Sequence, residues 1–187
     1  NEAIIYFIFN KLSLCARMEV YMHKALELAR EALEENEVPV GCVFVINGNI
    51  VAESRNSVNF TRNPTRHAEM NCIDTVLDYC KNDNIDYKTY CSNISVYVTV
   101  EPCIMCSAAL RLINVQEVIY GCANDRFGGH TVLDVSKFYN YNYNLTGNLF
   151  ADQAMLLLKQ FYKGVNPNAP DGKVKKKNKI DNVNVTQ

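Results

Sequence analysis

Apolar residues recur at helical spacing from Tyr21 through Ala25, Leu28, Ala29, Ala32 and Leu33, and the pattern stops before Asn36 and Pro39. The β-branched run Val40–Ile46 follows, then Asn47-Gly48, a pair suited to the two positive-φ positions of a type I′ turn. Asn49–Arg55 is therefore the returning strand of a hairpin. Asn56–Pro64 is polar and turn-rich and reads as a loop. A helix begins near Thr65–His67 with Cys72, Ile73, Val76, Leu77 and Cys80 as its buried stripe. Lys81–Ser92 reads as polar linker, and Ile94–Val100 as a strand buried on both faces, stopped by Glu101-Pro102. Cys103–Ile113 is apolar almost all round, as a helix packed deep in the fold should be, and Glu117–Tyr120 is another strand. Strand, helix and strand this closely spaced imply a parallel crossover. Asp134–Phe150, with its Tyr139–Asn144 alternation of tyrosine and asparagine, has no core-forming periodicity and reads as a surface insertion. Ala151–Tyr162 is a last amphipathic helix, closed by Gly164. The order helix, hairpin, helix, strand, helix, strand, helix predicts an α/β fold with helices on both faces of one mixed sheet.

A chain of 187 residues has room for one compact domain. With 48% hydrophobic and 21% charged residues and a net charge of −1, it has no overall basic bias, so any attraction to nucleic acid must be local. The apolar run Ala3–Phe9 is too short to span a bilayer and follows Glu2 rather than a positive segment, which argues against a secretory signal and against membrane partners. Residues 1–17 read as an N-terminal extension of uncertain status. Eight cysteines without a repeating framework fit a reducing compartment, cytoplasmic or nuclear, where clustered cysteines more often bind metal than form bridges.

Two segments carry chemistry. Pro64-Thr65-Arg66-His67-Ala68-Glu69 sits at a helix start, and Glu101-Pro102-Cys103-Ile104-Met105-Cys106 joins a buried strand to a buried helix. Cysteines three apart share a helix face, so both sulfurs can meet one ion. A third ligand from elsewhere, His67, leaves one tetrahedral position open, as in catalytic rather than structural zinc sites. Helix N-termini favour thiolates at Cys103 and Cys106. Glu69, two residues past His67, shares its pocket only if both project from the first turn, and then acts as a proton-transferring base rather than a ligand. A lone Cys-x-x-Cys equally fits a redox pair or half a structural zinc site. No second Cys-x-x-Cys or His-x-x-x-His completes a closed site, however, and a redox pair leaves His-Ala-Glu unexplained. His-x-Glu with Pro-Cys-x-x-Cys is the pattern of zinc-dependent nucleobase deaminases. His23 and His130 have no comparable context, and Cys42, Cys72, Cys80 and Cys122 lie in apolar runs as small core residues.

Glu37-Val38-Pro39-Val40-Gly41, Arg62–Met70, Thr99–Leu112, Tyr120-Gly121-Cys122 and Arg126-Phe127-Gly128-Gly129 closely resemble the eukaryotic tRNA-specific adenosine deaminases, catalytic subunit 2. Phe161-Tyr162-Lys163, Asn166–Pro170 and the lysine tail continue the likeness, which covers roughly residues 19–179 apart from the tyrosine–asparagine insertion. The resemblance implies a three-layer α/β/α cytidine-deaminase-like fold with about five strands in a central mixed sheet. It places the deaminase domain over 18–165 and a basic tail over 166–187. It implies one zinc ion per chain on His67, Cys103 and Cys106, with Glu69 catalytic. The activity implied is hydrolysis of the first anticodon adenosine of tRNA to inosine. The partners implied are the anticodon loop and a related non-catalytic subunit in a heterodimer, with a homodimer possible in isolation. Asn56, eleven residues before His67, matches a family asparagine that contacts the flipped base, and the Ala68 backbone is a second contact. Lys173, Lys175, Lys176, Lys177 and Lys179 are candidate phosphate contacts, with a solubilising or nuclear-import segment as the alternative. The alternative activity is deamination of a free base such as guanine or cytosine; from another class comes a non-catalytic zinc scaffold, which Glu69 argues against.

Overall fold

The computed structural model describes residues 2–163, with side chains from Ala16 onward; the lysine tail, Gly164 and Asn166–Pro170 lie outside the described residues. Helix α1 (Glu2–Glu34) starts well before Tyr21 and so runs through the stretch read as an extension. Asn36, at φ 60°, turns the chain out of it. Strands β1 (Gly41–Ile46) and β2 (Asn49–Arg55) form the expected hairpin, with Asn47 at φ 51° and Gly48 at φ 82° between them. A single turn, α2 (Val58–Thr61), interrupts the expected loop. Helix α3 (Ala68–Asn82) follows, with Cys72, Ile73, Val76 and Cys80 buried as the periodicity predicted.

The polar linker contains a short helix, α4 (Tyr87–Cys91), which the composition concealed. Its stability is local: the Asp86 carboxylate accepts from the Thr89 amide and hydroxyl at 2.9 and 2.6 Å, and Cys91 is buried against α3. Strand β3 (Ser95–Val100), helix α5 (Ile104–Leu112) and strand β4 (Glu117–Cys122) make the parallel crossover, β3 and β4 pairing in parallel register. Helix α5 is less enclosed than its composition suggested, since Leu112 and Ile104 reach solvent. Strand β5 (Asn144–Thr146) and helix α6 (Ala151–Lys163) complete the described chain.

The sheet order is β2-β1-β3-β4-β5, antiparallel about β1 and parallel on the β4–β5 side, which makes the expected mixed five-stranded sheet. Alternation along the strands sorts the core into two layers. Cys42, Phe44, Val96 and Val98 pack with Ala68, Cys72, Val76 and Leu110 from α3 and α5. Val43, Val45 and Tyr97 meet Met22, Ala25 and Leu28 of α1, and beside them Ala154 and Leu157 of α6 meet Leu26 and Ala29. Helix α1 lies so close to the hairpin that a Cβ at Gly41 would overlap the Ala25 carbonyl oxygen; only glycine fits there. Helices α3 and α5 therefore share one face of the sheet, with their N-termini side by side.

The tyrosine–asparagine segment is no surface insertion throughout. Leu145 brings β5 onto the edge of β4, and Tyr143 is buried. Its hydroxyl accepts from Arg111 Nη1 at 2.6 Å and lies 3.3 Å from Ser107 Oγ, while the Arg111 guanidinium sits 4.1 Å from its ring centroid. Arg111 is itself buried, so the tyrosine supplies both a hydrogen bond and a ring face to a desolvated cation. A three-residue strand carries too few positions for a periodic signal, which is why the sequence alone missed it.

No helix among the described residues is long and apolar enough to cross a membrane.

Candidate active site

The two chemical segments reach one point because each begins a helix in the same layer. His67 occupies the N-cap of α3 with φ −73° and ψ 158°, and Cys103 occupies the N-cap of α5 with φ −66° and ψ 171°. N-cap positions favour Ser, Thr, Asp or Asn, whose side chains bond the first amides. Neither His67 nor Cys103 does so, which leaves both side chains free for another task. Local stability is given up at both helix starts, as it commonly is at functional sites.

His67 Nδ1 lies 3.6 Å from Cys103 Sγ and 3.5 Å from Cys106 Sγ, and the three donor atoms all fall within 4.8 Å of one another. A tetrahedral zinc ion bonded to sulfur and imidazole nitrogen at ordinary lengths holds those atoms about 3.6 Å apart. The spacing and the donor set both fit zinc. Cys103 is pushed down to about 4, first by its hydrogen bond with Cys106 and then by His67, against the effect of burial. Cys106 moves the other way, because it hydrogen-bonds to the Cys103 sulfur and is buried beside Glu69. His67 is raised, chiefly by Cys103. Such a pair titrates as a unit, with the charge on Cys103.

Glu69, in the first turn of α3, is only 3% exposed. Burial, and then the negative charge on Cys103, push its carboxyl up to about 7. A cation on the sulfurs would cancel the second cause and leave the first. A carboxyl held near neutrality can take up and return a proton in one turnover. Ala68 is fully buried between His67 and Glu69, and as the first residue of α3 its amide is among those a helix leaves unpaired.

These groups open onto a cavity of about 510 Å³. One side is Glu37 from the turn after α1, Asn56 just past β2, and Val58 and Asn59 of α2. Another is the segment Asn124–Phe127, and a third is Lys159 and Tyr162 of α6. Glu101 anchors the second side. Its carboxylate accepts from the amides of Asn124, His130 and Thr131 at 2.8–3.0 Å and from the Thr131 hydroxyl at 2.6 Å. Burial raises Glu101, but these donors more than offset it and hold it below the ordinary carboxylate range. A Cβ at Gly128 would come within 2.5 Å of Glu101 Oε1, so the segment lies directly on that carboxylate.

All the expected residues near the metal site, namely His67, Cys103, Cys106, Glu69, Asn56 and Ala68, fall in this one region. His23 instead packs its ring on Phe150 at 4.5 Å, and His130 lies 4.0 Å from Asp134. Cys42, Cys72, Cys80 and Cys122 are free and buried, as expected of core residues. Sequence reasoning assigned no task to Glu37, Glu101, Phe60, Arg126 or Lys159. One of these had a signal: Glu101 is an acidic residue between the buried Thr99-Val100 and Pro102, where a charge needs a partner, whereas Glu37 follows the exposed polar run Glu34-Glu35-Asn36 and had none.

Residues 16–122 match the cytidine and deoxycytidylate deaminase zinc-binding region. The tRNA-specific adenosine deaminase 2 of Danio rerio is 49% identical over 166 residues, 86% of this chain and 78% of that protein. The chain belongs to the tRNA-specific adenosine deaminase family. Further relatives of this deaminase include the tRNA-specific adenosine deaminase subunit tad2 of Schizosaccharomyces pombe. It is 38% identical over 161 residues, 84% of this chain and 40% of that longer protein. A solved structure from studies of A-to-I editing by tRNA:A34 deaminases superposes with a TM-score of 0.64 at 27% identity, covering 74% of this chain and 98% of that one. The guanine deaminase of Nitrosomonas europaea shares the fold, with a TM-score of 0.65 at 21% identity over 78% of this chain and 85% of that one. The deaminase is thus a zinc enzyme of the α/β/α cytidine-deaminase-like architecture.

Proposed function

We propose that this deaminase converts adenosine at the first anticodon position of tRNA to inosine, with His67, Cys103 and Cys106 holding zinc and Glu69 moving the protons. The observation that carries the reading is the buried Glu69 carboxyl beside three converging zinc-type donors, at a cavity of about 510 Å³. Zinc, when bound, supplies Lewis-acid activation of water at neutral pH. Glu69 takes a proton from the attacking water and passes it to the purine ring nitrogen, then carries the proton of the added hydroxyl to the departing ammonia, so adenosine and water become inosine and ammonia. The Asn56 side chain and the Ala68 amide hold the base. An anticodon base is already unpaired, so extruding it costs less than opening a duplex.

The mouth of the cavity supports an RNA substrate. Phe127 and Tyr162 are exposed there at 63% and 66%, and Arg126 and Lys159 line the same opening. Exposed aromatic rings among cations suit the bases and phosphates flanking a target nucleotide. The lysines from Lys173 to Lys179 extend this basic character along the chain. A related non-catalytic subunit adds to it in a heterodimer. The apolar side chains of Ile104, Val132, Leu133 and Phe138, exposed on neighbouring turns, offer that subunit a surface.

Inosine formation in an anticodon stem–loop, measured with and without the co-purified subunit, tests the reading against ammonia release from guanine or cytosine. Turnover of free bases alone would end it.

A further inference from the structure

Glu37 is 1% exposed, yet it lines the cavity and no step above uses it. It sits in the turn between α1 and β1, and each of its carboxylate oxygens has one partner. Asn56 Nδ2 donates to Oε2 at 3.1 Å, and the Phe60 amide donates to Oε1 at 2.7 Å. The Asn56 backbone is fixed too, its amide donating to the Val40 carbonyl at 3.0 Å. A carboxylate only accepts hydrogen bonds, so the amide of Asn56 must turn its nitrogen toward Glu37. Its carbonyl oxygen, Oδ1, then has no partner among the described residues and lies at the cavity.

We infer that Glu37 is a positioning residue: it fixes the side-chain amide of Asn56 so that the pocket offers an acceptor, Oδ1, to a hydrogen-bond donor of the target nucleotide. The inference rests on the function proposed above, with Asn56 as a substrate contact. Without a carboxylate behind it, an asparagine amide rotates at little cost and presents donor or acceptor alike. With it, a substrate carrying an acceptor at that point meets an oxygen and is rejected. The donor is either an N–H of the base or a hydroxyl of the ribose. The same carboxylate bonds the Phe60 amide and so also fixes α2, whose Val58 and Asn59 line the cavity.

Exchange of the two groups tests this. Glu37→Gln keeps an oxygen for the Phe60 amide but turns an N–H toward Asn56, which forces Oδ1 inward. The value of kcat/KM on an anticodon stem–loop should fall about 10- to 100-fold, with zinc content unchanged. Asn56→Asp sets two carboxylates against each other and should fall at least as far. The double variant Glu37→Gln/Asn56→Asp keeps the total charge, restores a donor–acceptor pair and again leaves an oxygen facing the cavity. It should recover to within about threefold of wild type, a compensation that a merely structural role would not give. A stem–loop with 2′-deoxyadenosine at the target separates the donors: the Glu37→Gln penalty shrinks on it if the donor is the ribose 2′-hydroxyl and persists if it is the base. Glu37→Gln matching wild type, or a double variant that fails to fold or is no better than the worse single variant, overturns the inference. Should wild type itself leave the stem–loop unconverted, the proposed activity fails, and the same cycle is read from stem–loop affinity of the zinc-loaded protein.

Discussion

The two sides of the cavity are built differently. The side proposed to hold zinc comes from two helix starts, His67 and Cys103 at the N-caps and Glu69 and Cys106 in the first turns, each anchored by the helix that follows. The side proposed to meet substrate is gathered from the turn after α1, Asn56 just past β2, α2, the segment Asn124–Phe127 and the last turns of α6. Reaction chemistry tolerates little displacement and sits on rigid elements, whereas recognition is spread over loops that sequence change alters most freely.

That contrast orders the expected effects. Cys103→Ala should remove zinc and with it all activity, and should lower the melting temperature, because the ion ties two helix ends together; metal analysis showing full zinc content would refute this. Glu69→Gln should lower kcat about 10²- to 10⁴-fold while zinc stays bound, and a variant of near-normal kcat would remove the proton-transfer role. On the recognition side, Glu101→Ala leaves the amides of Asn124, His130 and Thr131 without their acceptor. Urea unfolding should show a loss of about 2 kcal/mol. Because Glu101 is held below the ordinary carboxylate range in the folded state, its contribution is present above the unfolded glutamate value of about 4.3 and is lost as pH falls through the folded value. The stability gap to wild type should therefore narrow in acid; a gap that widens there would contradict the sign. Tyr162→Ala should raise KM for the stem–loop about fivefold, more than it lowers kcat, in contrast to Glu69→Gln. The smallest effect is expected from deleting residues 166–187, which should reduce the slope of log affinity against log salt by about 0.7–0.9 for each phosphate that the lysines neutralise. An unaltered slope would place the lysines outside the interface.

Much of the metal side was legible in the chain. His67, Glu69, Cys103 and Cys106 stand out because their types and spacings have few other uses, and the helix starts that carry them were marked by the change from buried strand or loop to helical periodicity. The recognition side was less visible for a physical reason. Lys159 reaches the cavity only through its position in space, and the motif Arg126-Phe127-Gly128-Gly129 does not by itself say that Arg126 and Phe127 line it. Tyr139, Tyr141 and Tyr143 are alike in sequence, but Tyr143 alone is buried, where it covers the Arg111 guanidinium. Likewise Asp86 and Thr89 cap a helix in what composition reads as linker.

Alternation and periodicity along the chain, together with Asn47-Gly48 at the hairpin, determined strands β1 to β4, helices α3, α5 and α6, the second half of α1 and their layering, because burying one face is a local demand on each of these elements. The donor set was also determined there, since only certain side chains bind zinc. Tertiary structure alone decided which way the Asn56 amide turns, which tyrosine enters the core and what Glu101 anchors. Those outcomes depend on groups distant in sequence meeting at hydrogen-bond range, and no local pattern encodes such a meeting.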